Sequence, residues 1–105
     1  MKKAEYEELN QITMKKVYNT FKSQKLLKIS LEYDEITNII HSIAITGDFF
    51  LYPEDSLDDL ETNLIGTKLE KFSIKQKIQK SLENSETFGF DSESLTEAIL
   101  GCLSC

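Results

Sequence analysis

From Leu27 onward the chain alternates: Leu27, Ile29, Leu31 and Tyr33 are apolar, with Lys28, Ser30 and Glu32 between them. A two-residue period sends successive side chains to opposite faces, so this stretch predicts a strand with one buried face. Asp34 to Asn38 supplies turn-type polar residues, and Ile40 to Ile45 reads as the returning strand of a β-hairpin. Two strands alone are marginal in water, so the sheet needs a third strand or a cover of helices. Phe49 to Tyr52 is short but is the candidate for that third strand.

Elsewhere the apolar spacing is helical. Lys3 to Lys22 carries Leu9, Ile12, Val17 and Phe21 roughly on one side, which predicts a helix or arm over residues 1–24 ahead of a body over 25–105. Pro53 stands where a helix can begin, because proline is tolerated in a first turn and the acids after it complement the helix dipole. Leu57, Leu60 and Leu64 then share a face, and Gly66 is placed to end the helix in a left-handed conformation. A second helix is expected near Ser73, with Gln76 reciprocating its cap and Ile74, Ile78 and Leu82 buried. The third follows Asp91 as cap, with Leu95, Ala98, Ile99 and Leu103 apolar and Gly101 interrupting late.

Composition narrows the function classes. At 105 residues, 40% hydrophobic and 29% charged, the chain has the make-up of one soluble domain with a single core. No apolar run reaches membrane-spanning length, and the start Met1-Lys2-Lys3-Ala4-Glu5 lacks the apolar stretch of a secretion signal, so a cytoplasmic location is expected. The formal net charge is -6, and every basic side chain is lysine. Lacking the bidentate fork of arginine and carrying an acidic body, the chain is not expected to bind nucleic acid. Acids crowd one segment, at Glu54, Asp55, Asp58, Asp59 and Glu61. They lack the ligand alternation and central glycine of a calcium loop, so they read as a solvated helix face that can meet basic groups on a partner.

Catalytic groups are sparse. His41, the only histidine, lies inside the second predicted strand with no recognisable nucleophile beside it. Cys102 and Cys105 form a Cys-x-x-Cys pair, which supplies half of a tetrahedral zinc site and follows a helix instead of opening one; the inert reading is preferred. The glycines are isolated, so no phosphate loop is formed. No catalytic, cofactor or metal residues are assigned.

The residues with most information are Gly47-Asp48-Phe49-Phe50. Glycine permits a sharp turn or a close backbone approach, and aspartate can hold the turn by bonding its own main chain. If the segment is extended, the two rings point to opposite sides, so they need two apolar environments. Thr46-Gly47-Asp48-Phe49-Phe50-Leu51-Tyr52-Pro53-Glu54-Asp55, followed by Leu57, Leu60, Glu61, Leu64 and Gly66, resembles the C-terminal accessory domain of lipoate-protein ligases. The resemblance runs from about Lys25 to about Ile99 and is to the archaeal form, where this domain is a separate small protein beside a catalytic subunit.

The resemblance implies an α+β fold, a small antiparallel sheet (the hairpin plus a short third strand) packed by helices. It further implies an accessory subunit, inactive alone, that supports formation of lipoyl-adenylate from lipoate and MgATP on a catalytic subunit before lipoyl transfer to an acceptor lysine. Gly47, Asp48, Phe49, Phe50, Pro53, Leu57, Leu60, Glu61, Leu64 and Gly66 are then interface or structural residues. The stretch Glu35 to Ile39, the N-terminal extension and the terminal cysteines depart from the family pattern. Two alternatives are an iron-sulfur or sulfur-transfer scaffold and a plain interaction module. The scaffold is disfavoured because those proteins carry a cysteine at the strand exit, where this chain has Gly47-Asp48.

Overall fold

The computed structural model describes residues 13–22 and 24–104. Three strands, β1 (Met14–Lys22), β2 (Leu26–Asp34) and β3 (Ile39–Gly47), form an antiparallel sheet in the order β1-β2-β3. After a sharp exit come β4 (Phe50–Tyr52), α1 (Ser56–Leu64), α2 (Lys71–Ser81), β5 (Glu86–Phe88), α3 (Ser92–Gly101) and a short 3-10 turn (Cys102–Ser104). The fold is α+β.

The sheet buries one face. Leu27, Ile29, Leu31 and Tyr33 point inward, and across the ladder Ile29 faces Ile45 while Leu31 faces Ile43. Ile40 has the wrong parity to join Ile43 and Ile45 by simple alternation. A β-bulge resolves this: Tyr33 pairs with Ile40 and Glu32 with Ser42, leaving His41 as the extra residue. All three isoleucines are thereby buried. The turn between β2 and β3 is held by the Asp34 carboxylate, which accepts from the Ile36 amide at 2.8 Å.

Helices cover that face with Leu60 and Leu64 from α1, Ile74 and Ile78 from α2, and Leu95, Ala98 and Ile99 from α3, all fully buried. Helix α1 lies against β3, α3 lies against β1 and β2, and α2 packs on both helices. Glu93 ties α2 to α3, accepting from Lys75 Nζ at 2.6 Å. That bond and the charges of Lys75 and Lys71 hold the Glu93 carboxyl below the usual carboxylate range.

Four sequence expectations are corrected. The helix expected over Lys3 to Lys22 is a strand over Met14–Lys22; Lys3 to Ile12 lies outside the described residues. Val17, Asn19 and Phe21 turn inward on a two-residue period, and their pairing with Leu31, Ile29 and Leu27 makes β1 the third strand of the sheet. The ladder therefore joins residues on both sides of position 24. The segment Phe49 to Tyr52 does supply a strand, β4, but it pairs with β5 in a separate ribbon.

The helix expected from Pro53 starts at Ser56, because Pro53 sits in a turn whose carbonyl accepts from the Ser56 amide at 3.0 Å. The capping box expected at Ser73 is absent. Helix α2 begins two residues earlier at Lys71, and the Ser73 hydroxyl bonds the Glu70 carboxylate at 2.8 Å. The box forms instead at Asp91, where the Asp91 carboxylate accepts from the Ser94 amide and the Ser94 hydroxyl from the Asp91 amide.

Candidate functional site

Where β3 leaves the sheet, Gly47 adopts φ +148°, and the Asp48 amide donates to the Leu26 carbonyl at 3.0 Å. A Cβ on Gly47 would lie 2.1 Å from that same carbonyl oxygen, so the close approach of the two backbones admits only glycine. The expected aspartate contribution is thus made by its main-chain amide and not by its carboxylate. The chain is redirected off the sheet at this point.

Redirection separates the two rings. Phe49 is half-buried and packs edge-to-face on Phe90, with ring centroids 5.1 Å apart. Phe90 is buried immediately before the Asp91 cap, so the start of α3 fixes the ring that receives Phe49. Hydrogen bonds from the Ser94 amide and hydroxyl lower the Asp91 pKa, which is the signature of a carboxylate held at a helix N-terminus. Phe50 goes the other way and is 71% exposed.

The exposed ring has company. In the β4–β5 ribbon Phe50 lies opposite Phe88, Leu51 opposite Thr87 and Tyr52 opposite Glu86. Leu51 is buried, whereas Phe88 (54%) and Tyr52 (56%) are as open as their partner positions require. One face of the ribbon therefore closes the core, and the other presents three aromatic rings and a carboxylate. A groove of about 500 Å³ runs alongside, lined by Lys25, Asp48, Phe49, Phe50 and Phe88 among others. The ribbon is fixed to the body by the Lys25 amide, which donates to the Gly89 carbonyl at 3.2 Å, and by the Ser56–Ser85 hydroxyl pair at 2.9 Å.

The other candidate residues behave as structure. Leu60 and Leu64 are fully buried, Leu57 is partly so, and Pro53 is exposed with a cis Tyr52–Pro53 bond. Gly66 has φ +87° one residue beyond the extended Ile65 that ends α1. Glu61 differs from its acidic neighbours: its carboxylate accepts from the Ile45 amide at 2.8 Å, pinning α1 to the edge of β3. In the sequence it is indistinguishable from the solvated acidic cluster, because nothing local marks a partner 16 residues away.

His41 is exposed at the bulge, 4.0 Å from Glu32. Cys102 is buried, its thiol directed at the Ala98 carbonyl at 3.8 Å, and Cys105 lies outside the described residues. Among the described residues no group of three His, Cys, Asp or Glu side chains is placed to hold a metal, and no helix is long and apolar enough to cross a membrane. Every buried side-chain nitrogen and oxygen among them has a hydrogen-bond partner. The arrangement provides surfaces for contact, and two residues escaped sequence reasoning altogether: Phe88, in a three-residue strand with no periodic signal, and Asn19, whose amide donates to the Ala98 carbonyl at 2.9 Å.

Residues 18–100 match the family described as the bacterial lipoate protein ligase C-terminus. The protein called lipoate-protein ligase A subunit 2 of Thermoplasma acidophilum is 41% identical over 63 residues, which span 58% of this chain and 65% of that one. The fold is similar, with a TM-score of 0.72 and 32% identity, to a chain from the structural analysis of an archaeal lipoylation system, a bi-partite lipoate protein ligase and its E2 lipoyl domain from the same organism. That superposition covers 82% of this chain and 96% of the other.

Proposed function

The chain belongs to the bacterial lipoate protein ligase C-terminus family, and from that premise we propose that it is the accessory subunit of a split lipoate-protein ligase. The observation that carries the reading is the match of residues 18–100 to a ligase C-terminus, in a chain whose Thermoplasma relative is itself a numbered ligase subunit. The site agrees with it. The Gly47–Phe50 turn offers a ring to the outside, and the groove beside it is lined by aromatic rings together with Lys25 and Asp48, a composition suited to contact.

The partner is a catalytic subunit that holds lipoate and MgATP. There the lipoate carboxylate displaces pyrophosphate from ATP to give lipoyl-adenylate, and the acceptor lysine amine then displaces AMP. This chain promotes the first step by binding the adenylation-competent conformation of the catalytic subunit more tightly than the alternatives. Only such a difference shifts the population, by about tenfold for each 1.4 kcal/mol of preference. Acceptor proteins are met through the catalytic subunit.

The test mixes the chain with the catalytic subunit from the same organism, lipoate, MgATP and an acceptor domain, omitting each in turn. Pyrophosphate release should rise when the chain is added and be absent with the chain alone. Equal release with and without it would sink the proposal.

A further inference from the structure

We propose that the outer face of the β4–β5 ribbon, centred on the Phe50–Phe88 pair with Tyr52 beside it, is the surface that docks on the catalytic subunit, against an apolar patch rimmed by basic side chains. The inference rests on the accessory-subunit reading and adds where the contact is made and what chemistry receives it.

Burial separates this face from the rest of the Gly47–Leu64 segment. Leu51, Leu60 and Leu64 are taken up by the core of the chain itself, and Phe49 is half-buried against it. Phe50, Tyr52 and Phe88 are held on the opposite side by the strand alternation, and register puts Phe50 and Phe88 directly across from one another. An aromatic side chain carries roughly 150–250 Å² of surface, so three rings more than half exposed present on the order of 300–400 Å² of contiguous apolar area. That is as large as the main patch on a typical monomer, and about half of the ~800 Å² that one side of a stable interface covers. Its size fits the centre of an interface with a polar rim around it.

Other exposed apolar side chains do not assemble this way. Tyr18 stands on the polar outer face of the main sheet, among Lys28, Ser30 and Thr46, and Phe72 follows Lys71 in the first turn of α2. Ile36 and Ile39 sit at the tip of the β2–β3 hairpin, and aliphatic residues are poorer anchors than aromatic ones at interface centres.

Charge gives the partner its character. Glu86 shares the outer face by pairing with Tyr52, and Glu54 and Asp55 follow Pro53 in sequence; Lys25 stands at the Phe50–Phe88 end, so the Tyr52 end carries the acidic character of a chain of net charge -6. Complementary potentials favour a basic rim on the partner and disfavour a second copy of this acidic chain.

The test compares binding of the wild-type chain and the double variant Phe50→Ser, Phe88→Ser to the catalytic subunit from the same organism by calorimetry. Ile36→Ser serves as the control at a distant exposed site. Both rings are exposed, so melting temperatures should agree within a few degrees, while the ribbon variant loses at least ~30-fold in affinity, the scale of an interface hot spot. Glu86→Lys should weaken binding further at low than at high salt. Hydrogen exchange on the wild-type complex gives an independent reading even if the double variant unfolds: amides of residues 50–52 and 86–88 should be protected by the catalytic subunit. Unchanged affinity with an intact fold, or no such protection, overturns the docking site while leaving the accessory function standing. A wild-type dimer that the double variant abolishes would reassign the ribbon to self-association. If the wild-type chain neither binds nor stimulates the catalytic subunit, the functional reading fails and this inference falls with it.

Discussion

Replacing Gly47 with alanine tests whether the exit from the sheet is set by a collision or only by backbone preference. At φ +148° an L-residue is strained by about 1–3 kcal/mol. Its Cβ would also fall 2.1 Å from the Leu26 carbonyl oxygen, and that oxygen is backbone, so it cannot swing aside like a side chain. Relief requires β2 and β3 to part at the Gly47–Leu27 pair, so that the Asp48 amide releases the Leu26 carbonyl, a lost bond worth about 1 kcal/mol. The expected total is about 2–4 kcal/mol, a large part of the roughly 5–15 kcal/mol that stabilises a domain of this size.

Gly66→Ala is the internal control. Gly66 also has positive φ, at +87°, but nothing lies within 4 Å of its notional Cβ, so only the conformational cost of about 1–2 kcal/mol applies. Urea denaturation followed by circular dichroism should show a clearly lower midpoint for Gly47→Ala with a similar slope. If Gly47→Ala costs no more than Gly66→Ala, the close approach to Leu26 is not what demands glycine.

Two further outcomes follow from the same region. Phe49→Ala should cost about 2–3 kcal/mol, below the loss for a fully buried ring, whereas Phe50→Ala should stay within about 0.5 kcal/mol; equal costs in urea denaturation would contradict the inward and outward assignment. The Asp91 carboxyl has a folded pKa below its ordinary 3.8, chiefly through the Ser94 amide, so its stabilisation is present above that value and is lost as the pH falls through the folded pKa. Asp91→Asn can still cap but cannot titrate, and its melting temperature should therefore fall less steeply than wild type between about pH 5 and pH 3; parallel curves would show that Asp91 is not a source of the acid lability.

The helices and the hairpin were legible because their apolar periods are local and their caps are chemical. Leu60 and Leu64, Ile74 and Ile78, and the Asp91 cap all lie where spacing put them. What escaped was long-range. In β1 the alternation Val17, Asn19, Phe21 is broken by a polar residue, and Val17 and Phe21, four apart, satisfy a helical period equally well. Asn19 is tolerated inside because its amide meets the Ala98 carbonyl near the end of α3, a partner 79 residues distant. The candidate site was half legible. The turn and its rings stand out in sequence, but which ring faces outward, and the fact that Phe88 joins it, depend on a β5 pairing across more than thirty residues.

The Asn19–Ala98 bond also bears on how the protein comes to exist. It joins the first described strand to the last helix, and α3 lies across β1 and β2. During synthesis the three-stranded sheet can emerge with its apolar face uncovered, and its cover is complete only after α3 has left the ribosome tunnel. Contacts of such sequence separation slow folding, and an uncovered sheet face is prone to association while it waits. Nascent chains stalled before residue 98 should accordingly remain open to proteolysis and chaperone binding, then become resistant over a few residues once α3 is released.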